Sequence, residues 1–238
     1  MRMMRRSAFL LCLTGGLLVA AAGAQAAPAT NAAAKAVAEI PGLPRVLIIG
    51  DSISIGYTPF VKELFKGRAN IIHAQGNNAA TVVGLANLSA WLGPKPWDVI
   101  HFNWGLHDLK YIDAKTQIAD VAAGKQWVPV AEYEKNLKEL VLRLKKTGAR
   151  LVWCSTTPVP EGVKGRVPGD EVIYNAAALR VMQAEGVPVD DLYAFTKPQR
   201  DAIGRPKDVH YTDAGYRVLA GAVSAAIEQA LKQPRATP

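Results

Sequence analysis

The chain has 238 residues, with 28 lysines and arginines against 20 aspartates and glutamates, and a formal net charge of +8. This length is enough for one domain with a sizeable hydrophobic core. The basic residues are scattered and form no stripe, so the charge does not indicate a nucleic-acid-binding protein. Only one of the two cysteines, Cys154, follows the N-terminal leader described next, which excludes an internal disulfide in the processed chain.

The first 26 residues are typical of a signal peptide. Three arginines precede an uncharged apolar run over Ser7–Ala22, and Ala24-Gln25-Ala26 fits a small-x-small cleavage site. The run is short and rich in small residues, which disfavours a membrane span. We therefore predict a signal peptide over residues 1–26 and export to the periplasm or beyond.

The remainder is predicted as a linker and a single domain. Residues 27–44 are rich in alanine and end in Pro41-Gly42-Leu43-Pro44, a composition that favours a flexible linker. From residue 45 to 233, short apolar runs alternate with longer helical patterns. That order predicts a three-layer α/β/α sandwich with a central, mainly parallel five-stranded sheet, as in flavodoxin-like folds. Strands are expected at 46–50, 70–74, 98–103, 150–155 and 187–189, and helices at 57–66, 80–92, 130–146, 170–185 and 212–232.

The first predicted strand leads into Gly50-Asp51-Ser52, at a place where a reacting group is expected. In an open parallel sheet, ligands bind outside the carboxyl ends of the strands. Gly50 is expected to allow a turn that is costly for other residues. Ser52 is then either a nucleophile or only the N-cap of the following helix, since serine is a favoured cap.

A serine hydroxyl needs a base to take its proton, and the chain has four histidines. His73 and His101 fall inside predicted strands and are better interpreted as core residues with satisfied hydrogen bonds. His210 lies in the loop before the last helix, where Asp208 is close enough in sequence to orient its imidazole. The alternative for His210 is a surface histidine beside a helix.

Acyl transfer also needs hydrogen-bond donors for an oxyanion. Gly76 ends the second predicted strand, and no side chain shields its amide; His107 follows the third strand and offers a ring N–H. The alternatives are a plain turn glycine and a histidine that only supports its loop. Trp104 and Trp127 lie in the long loop after the third strand, where they either stack on a sugar ring or pack within the protein.

Four short segments resemble, in order, the four sequence blocks of the SGNH hydrolases, also called the GDSL esterase/lipase family. They are Gly50-Asp51-Ser52-Ile53, Gly76, Gly105-Leu106-His107-Asp108 and Asp208-Val209-His210. Three further stretches look like the bacterial carbohydrate-esterase-like members, namely residues 156–162, 174–177 and 209–216. The resemblance covers nearly the whole predicted domain.

The resemblance implies a triad of Ser52 as nucleophile, His210 as base and Asp208 as acid. Oxyanion donors would be the amides of Ser52 and Gly76 and a side chain of the third block. No metal or organic cofactor is implied, and no segment of the chain has metal-ligand spacing.

The implied activity is that of an exported serine esterase that removes acyl groups, acetyl above all, from a carbohydrate or small ester. An O-acyltransferase using the same residues, and a non-catalytic carbohydrate-binding protein on the esterase scaffold, are the alternatives. No nucleic-acid partner and no stable membrane span after leader removal are expected.

Two positions depart from the family pattern. His107 stands where the third block usually has asparagine, and Asn103 is the fallback donor. Lys207 stands where the last block usually has its aspartate, so that Asp208 comes one residue late.

Overall fold

The computed structural model describes residues 39–116 and 118–234. The predicted signal peptide and most of the predicted linker lie outside these residues. The compact unit begins at Glu39, because Arg45 Nε donates to the Glu39 carboxylate at 2.6 Å and the Ile40 N–H donates to the Asn70 side chain at 2.8 Å. Residues 39–44 are therefore bonded to the domain, in contrast to the flexible linker predicted for them.

The core of the domain is a parallel sheet. Strands in the described residues are β1 (Arg45–Ile49), β2 (Asn70–His73), β3 (Val99–Phe102), β4 (Tyr111–Ile112), β5 (Lys125–Gln126), β6 (Arg150–Cys154) and β7 (Val189–Asp190). Five of them form one sheet in the order β2-β1-β3-β6-β7, with every pairing parallel. The short β4 and β5 form a separate antiparallel pair, which was not predicted.

Helices cover both faces of the sheet. They are α1 (Ser52–Leu64), α2 (Thr81–Leu92), α3 (Val130–Lys145), α4 (Asp170–Glu185), α5 (Leu192–Thr196), α6 (Arg200–Ile203) and α7 (Asp213–Lys232). Helix α1 packs on α7, whereas α3 packs between α2 and α4. The predicted α/β/α sandwich is confirmed, although the short α5 and α6 were not anticipated.

Apolar periodicity explains how the helices attach. The apolar stripe of α3 is fully buried and consists of Tyr133, Leu137, Leu140, Val141 and Leu144. Since β1 and β3 are covered on both faces, their residues are almost all buried as well. Within residues 39–116 and 118–234, no helix is both long and apolar enough to cross a membrane.

The strand order brings the candidate residues together. Strand β1 lies between β2 and β3, so the chain reverses its direction across the sheet at this point. A crevice forms at the carboxyl ends of strands where the order reverses. The residues that follow β1, β2 and β3 include Ser52, Gly76 and His107, and they lie at this edge.

Candidate active site

Ser52, His210 and Asp208 form a continuous hydrogen-bonded chain. Ser52 Oγ lies 2.8 Å from His210 Nε2, and His210 Nδ1 lies 2.6 Å from Asp208 Oδ1. The carboxylate oxygen can only accept, so Nδ1 carries the hydrogen and Nε2 is left to accept from the serine hydroxyl. The arrangement puts a base against a hydroxyl, which is what nucleophilic catalysis by serine requires.

The late position of Asp208 does not prevent it from reaching His210. Lys207 adopts the left-handed region at φ +52°, and Asp208 Oδ1 also accepts the backbone N–H of His210 at 3.1 Å. Burial raises the pKa of Asp208, but the two hydrogen bonds from His210 outweigh it, and the pKa lies below its ordinary value. The carboxylate is thus ionised at neutral pH and stabilises a protonated imidazole.

Arg200 holds the loop that carries Asp208 and His210. The sequence did not predict this role. Its side chain is 7% exposed and donates to the backbone carbonyl oxygens of Asp208 and His210. Two carbonyls of the loop are thereby fixed by one planar guanidinium. No sequence pattern marks this contact, because α6 and the loop meet only in the folded chain.

The nucleophile turn differs from the prediction. Helix α1 begins at Ser52, well before the predicted start, and its N-cap is Asp51, whose Oδ1 accepts the Ile53 N–H at 2.9 Å. Ser52 is therefore the first helical residue and not the cap. Its own N–H has no acceptor within the helix, and the positive end of the helix dipole lies beside it. That N–H is available to an oxyanion.

Gly50 is required for space and not for its backbone angle. Its φ lies outside the left-handed region, but a Cβ there would lie 2.9 Å from Ser54 Oγ. Ser54 Oγ lies 2.7 Å from the Asp51 carbonyl oxygen and 2.7 Å from His73 Nε2. The expected reason for Gly50 was therefore wrong, and the close approach of Ser54 replaces it.

The Gly76 loop is tied to the nucleophile turn. The Gly50 N–H donates to Asn78 Oδ1 at 2.9 Å, and the Asn78 N–H donates to the Gly50 carbonyl at 3.1 Å. Gly76 adopts φ +78°, and its N–H has no acceptor among the described residues. Asn78 is fully buried; the sequence reasoning missed it, although it follows Gly76 within the same block.

His107 lies at the mouth of the site beside Trp127, with ring centroids 6.2 Å apart and edge-on geometry. Burial is the main influence on His107 and lowers its pKa, although the charge of Asp51 opposes the change. The ring is therefore neutral at neutral pH and carries one N–H. Its charged or titratable neighbours include His210, which places it close to the triad.

Asn103, the fallback donor, is already engaged. Its Nδ2 donates to the Cys154 carbonyl at 2.6 Å and lies 3.4 Å from Thr156 Oγ1. These contacts hold the ends of β3 and β6 together. Of the two side chains considered, His107 is thus the one with an unengaged donor.

The two tryptophans lie in different environments. Trp104 is 0% exposed, and its Nε1 donates to the Asn78 carbonyl at 3.3 Å. The prediction that Trp104 contacts a substrate is therefore wrong, because the ring supports the Gly76 loop from inside the core. Trp127 is 40% exposed and remains accessible next to His107.

Asp108 joins the third block to α2. Its Oδ1 accepts from the backbone N–H and the hydroxyl of Thr81, at 2.8 and 2.5 Å, and the carboxyl group is fully buried. Burial raises its pKa to about 7 despite these hydrogen bonds. Asp108 thus positions the loop that carries His107.

A second histidine–aspartate pair lies within the sheet. His101 Nε2 is 2.9 Å from Asp190 Oδ2, and Cys154 Sγ lies near both, with all three donor atoms within 4.8 Å of one another. These residues offer nitrogen, oxygen and sulfur ligands to a metal ion. However, His101 Nε2 is already bonded to the carboxylate, and burial strongly raises the pKa of the thiol.

Comparison with known proteins agrees with this geometry. The model of the GDSL-like lipase/acylhydrolase family matches residues 48–218. No curated protein sequence matches the chain. Among solved structures, a lipase/acylhydrolase from Enterococcus faecalis is 20% identical, with a TM-score of 0.63, and the match covers 82% of this chain and 100% of that one.

Two acetyl xylan esterases share the fold. AlAXEase is 18% identical with a TM-score of 0.62, and the match covers 77% of this chain and 99% of that one. Axe2 from Geobacillus stearothermophilus is 17% identical with a TM-score of 0.62, covering 80% and 95%. The chain belongs to the GDSL-like lipase/acylhydrolase family, the SGNH hydrolases, and is a carboxylic ester hydrolase.

Proposed function

We propose that this protein is an exported serine esterase that removes short acyl groups, acetyl foremost, from a carbohydrate or another small ester. The observation that carries the proposal is the hydrogen-bonded chain from Ser52 Oγ through His210 to Asp208. The open mouth of the site beside Trp127 is compatible with a sugar, since indole rings stack well on apolar ring faces.

In the proposed reaction, Ser52 Oγ attacks the ester carbonyl carbon while His210 Nε2 takes the hydroxyl proton. The oxyanion accepts hydrogen bonds from the N–H groups of Ser52 and Gly76 and from His107. The bond to the alcohol oxygen then breaks, and the alcohol leaves with the proton held by His210. Water, deprotonated by His210, cleaves the acyl-serine and releases the carboxylic acid while Ser52 regains its proton.

We propose a small pocket beside Ser52 as the site of a short acyl group. It lies behind the nucleophile turn, has a volume of about 20 Å³, and is lined in part by Asp51, Ile53, Leu106 and Thr157. A cavity of this size holds about one water molecule, which is close to the size of the methyl group of acetate. Longer chains would have to lie across the open mouth instead.

Export is proposed from the leader at residues 1–26. Fractionation of producing cells followed by N-terminal sequencing is expected to find a processed chain starting at Ala27 outside the cytoplasm. Recovery of the unprocessed chain in the cytoplasm alone would contradict export and leave the esterase proposal untouched.

Hydrolysis of p-nitrophenyl acetate, butyrate and octanoate by the chain from Ala27 onward tests the activity. We expect kcat/KM to be highest for acetate and Ser52→Ala to lower kcat by about 10⁶-fold. Ser89→Ala, which alters an exposed serine on α2, is the matched control and should retain full activity. Retention of activity in Ser52→Ala with an unchanged circular dichroism spectrum would refute the proposal.

The same assay separates the alternatives. Free acetate should be the product even when a sugar, whose hydroxyl groups could accept the acetyl group, is added in excess. Acetyl transfer to the sugar without release of acetate would identify an acyltransferase, and binding of sugars without turnover of any ester would identify a carbohydrate-binding protein.

A further inference from the structure

Arg166 is a half-buried arginine with unengaged donors. Its Nε donates to the Leu106 carbonyl oxygen at 2.9 Å, but its two Nη atoms have no acceptor in the described part of the chain. Other arginines pair with glutamates, namely Arg45, Arg68, Arg143, Arg180 and Arg217. Neither Nη atom is both buried and unpartnered, so water reaches them and they are free to bind an anion from outside the chain.

The position of Arg166 points to the substrate as that partner. Leu106, which it contacts, directly precedes His107, and the charges of Asp51 and Asp208 act on the guanidinium. Neither carboxylate forms an ion pair with it. Asp51 instead caps α1 and Asp208 binds His210, so both acids are committed to the catalytic turn and the triad.

Lys110 adds a second positive charge at the same place. It is half-buried, and both Arg166 and Lys164 are among its charged neighbours. The two loops that carry these cations are joined, because the Tyr111 N–H donates to the Gly165 carbonyl at 2.8 Å. The nearby acid Asp170 is engaged by Gln126 at 3.1 Å and is not among the groups whose charges act on Lys110.

We infer that Arg166, with Lys110 beside it, binds a carboxylate of the substrate, so that the preferred ester is an acylated sugar acid. The inference rests on the proposed esterase function and narrows its substrate class. Arginine suits this role because its planar donors match the two oxygens of a carboxylate, and lysine adds a point charge. The anionic group would lie on the side of the site that carries His107.

Two esters that differ only in charge test the inference. Hydrolysis of the O-acetylated methyl glycosides of glucuronic acid and of glucose should show a kcat/KM about ten- to hundredfold higher for the acid, through a lower KM. Circular dichroism checks that Arg166→Gln is folded, and this variant should remove that preference, so that kcat/KM is about equal for the two esters. Arg166→Lys should keep part of it.

Arg68→Gln is the matched control. It removes the same charge from a residue that precedes β2 and therefore lies at the opposite edge of the sheet, where Arg68 pairs with Glu228 at 2.7 Å. The preference for the acidic ester should be unchanged. An equal loss in both variants would overturn the subsite and indicate a general effect of net charge.

Inhibition of p-nitrophenyl acetate hydrolysis shows whether the subsite prefers a carboxylate or a phosphate. Free glucuronate should inhibit more strongly than glucose 6-phosphate, and both effects should weaken in Arg166→Gln. Stronger inhibition by the phosphate would overturn the choice of a carboxylate. Equal rates on the acidic and neutral esters would overturn the inference and leave the esterase intact, whereas hydrolysis of neither ester would refute the esterase function together with the inference.

Discussion

The molecule contains two histidine–aspartate pairs with similar distances between their partners, but one pair is partly exposed and the other is buried. His210 and Asp208 lie 2.6 Å apart with side chains 35% and 38% exposed, whereas His101 and Asp190 lie 2.9 Å apart with side chains 0% and 8% exposed. In the first pair Nδ1 meets the acid and Nε2 meets Ser52. In the second Nε2 meets the acid, and Nδ1 has no partner among the described residues.

This difference shows that the pair alone does not make a base. His210 sits in a loop whose flanking residues Val209 and Tyr211 are buried, so the backbone is held while the imidazole faces the mouth of the site. His101 lies in the middle of β3, opposite Ile48 and Val152 of the neighbouring strands. Proton transfer requires a second nitrogen that reaches a hydroxyl, and of these two histidines His210 has that contact whereas His101 does not.

The largest effect is expected from His210→Ala. Loss of the base should lower kcat by about 10⁶-fold, because base and nucleophile act as one unit. The free energy of unfolding should change little, since the side chain is one-third exposed. Steady-state kinetics and urea denaturation on the same preparation measure both. If His210→Ala lowers the free energy of unfolding without lowering kcat, His210 is a structural residue and not the catalytic base.

His101→Ala should act on stability instead. Removing one partner of a buried pair leaves Asp190 without its hydrogen bond, which costs about 3–5 kcal/mol. Thermal and urea unfolding measure this change, and kcat of the folded fraction should stay within about tenfold of the original. Replacing both residues by leucine should recover much of the loss. A kcat as low as that of His210→Ala would mean that the buried pair takes part in the reaction.

His107→Ala tests the third histidine at the site. We expect kcat to fall by about 10²–10³-fold with little change in KM, because an oxyanion donor acts only in the transition state. His107→Asn should restore much of the rate, since an amide N–H can serve the same point. If Asn103→Ala carries the loss in kcat instead, the side chain at β3 is the donor and His107 only lines the mouth.

The last effect is a change of stability with pH and concerns Asp108, a buried carboxyl group that is not paired with a histidine. Its pKa is raised from 3.8 to about 7, so between about pH 4 and pH 7 the folded state binds more protons than the unfolded state. The contribution of Asp108 to the free energy of unfolding should therefore fall as pH rises through this window, by about 1 kcal/mol per pH unit, and level off above pH 7. Asp108→Asn keeps an acceptor for Thr81 and should remove this contribution.

Urea denaturation of both proteins from pH 4 to pH 8 measures the Asp108 effect as a difference, so that groups common to both cancel. A difference that does not vary with pH would show that Asp108 is ionised throughout, as a carboxyl with a stronger partner would be.

The fold was largely predictable because its signals are local. Apolar strands, amphipathic helices and the order of the blocks predicted the sheet and placed Ser52, Gly76 and His210 at one edge. The cap of α1 was misjudged because serine and aspartate at neighbouring positions are both favoured caps, and only the bond from Ile53 to Asp51 decides between them.

The contacts that the sequence did not predict join distant segments. Trp104 looked accessible because its loop follows a strand, but the ring turns inward to Asn78. Arg200 and Arg166 bind backbone carbonyl oxygens of other loops, and such acceptors leave no trace in residue type. Asn78 is the exception. It lies only two residues after Gly76, so its position in the sequence could have predicted that it lies beside the nucleophile turn.

The distance along the chain between Ser52 and His210, 158 residues, has a consequence for synthesis. Helices α1 and α7 must be packed together before the hydroxyl meets the imidazole. A growing polypeptide thus carries its nucleophile 158 residues before it gains its base. The enzyme is inert on the ribosome, and any product of premature termination before residue 210 has a serine with no group to activate it.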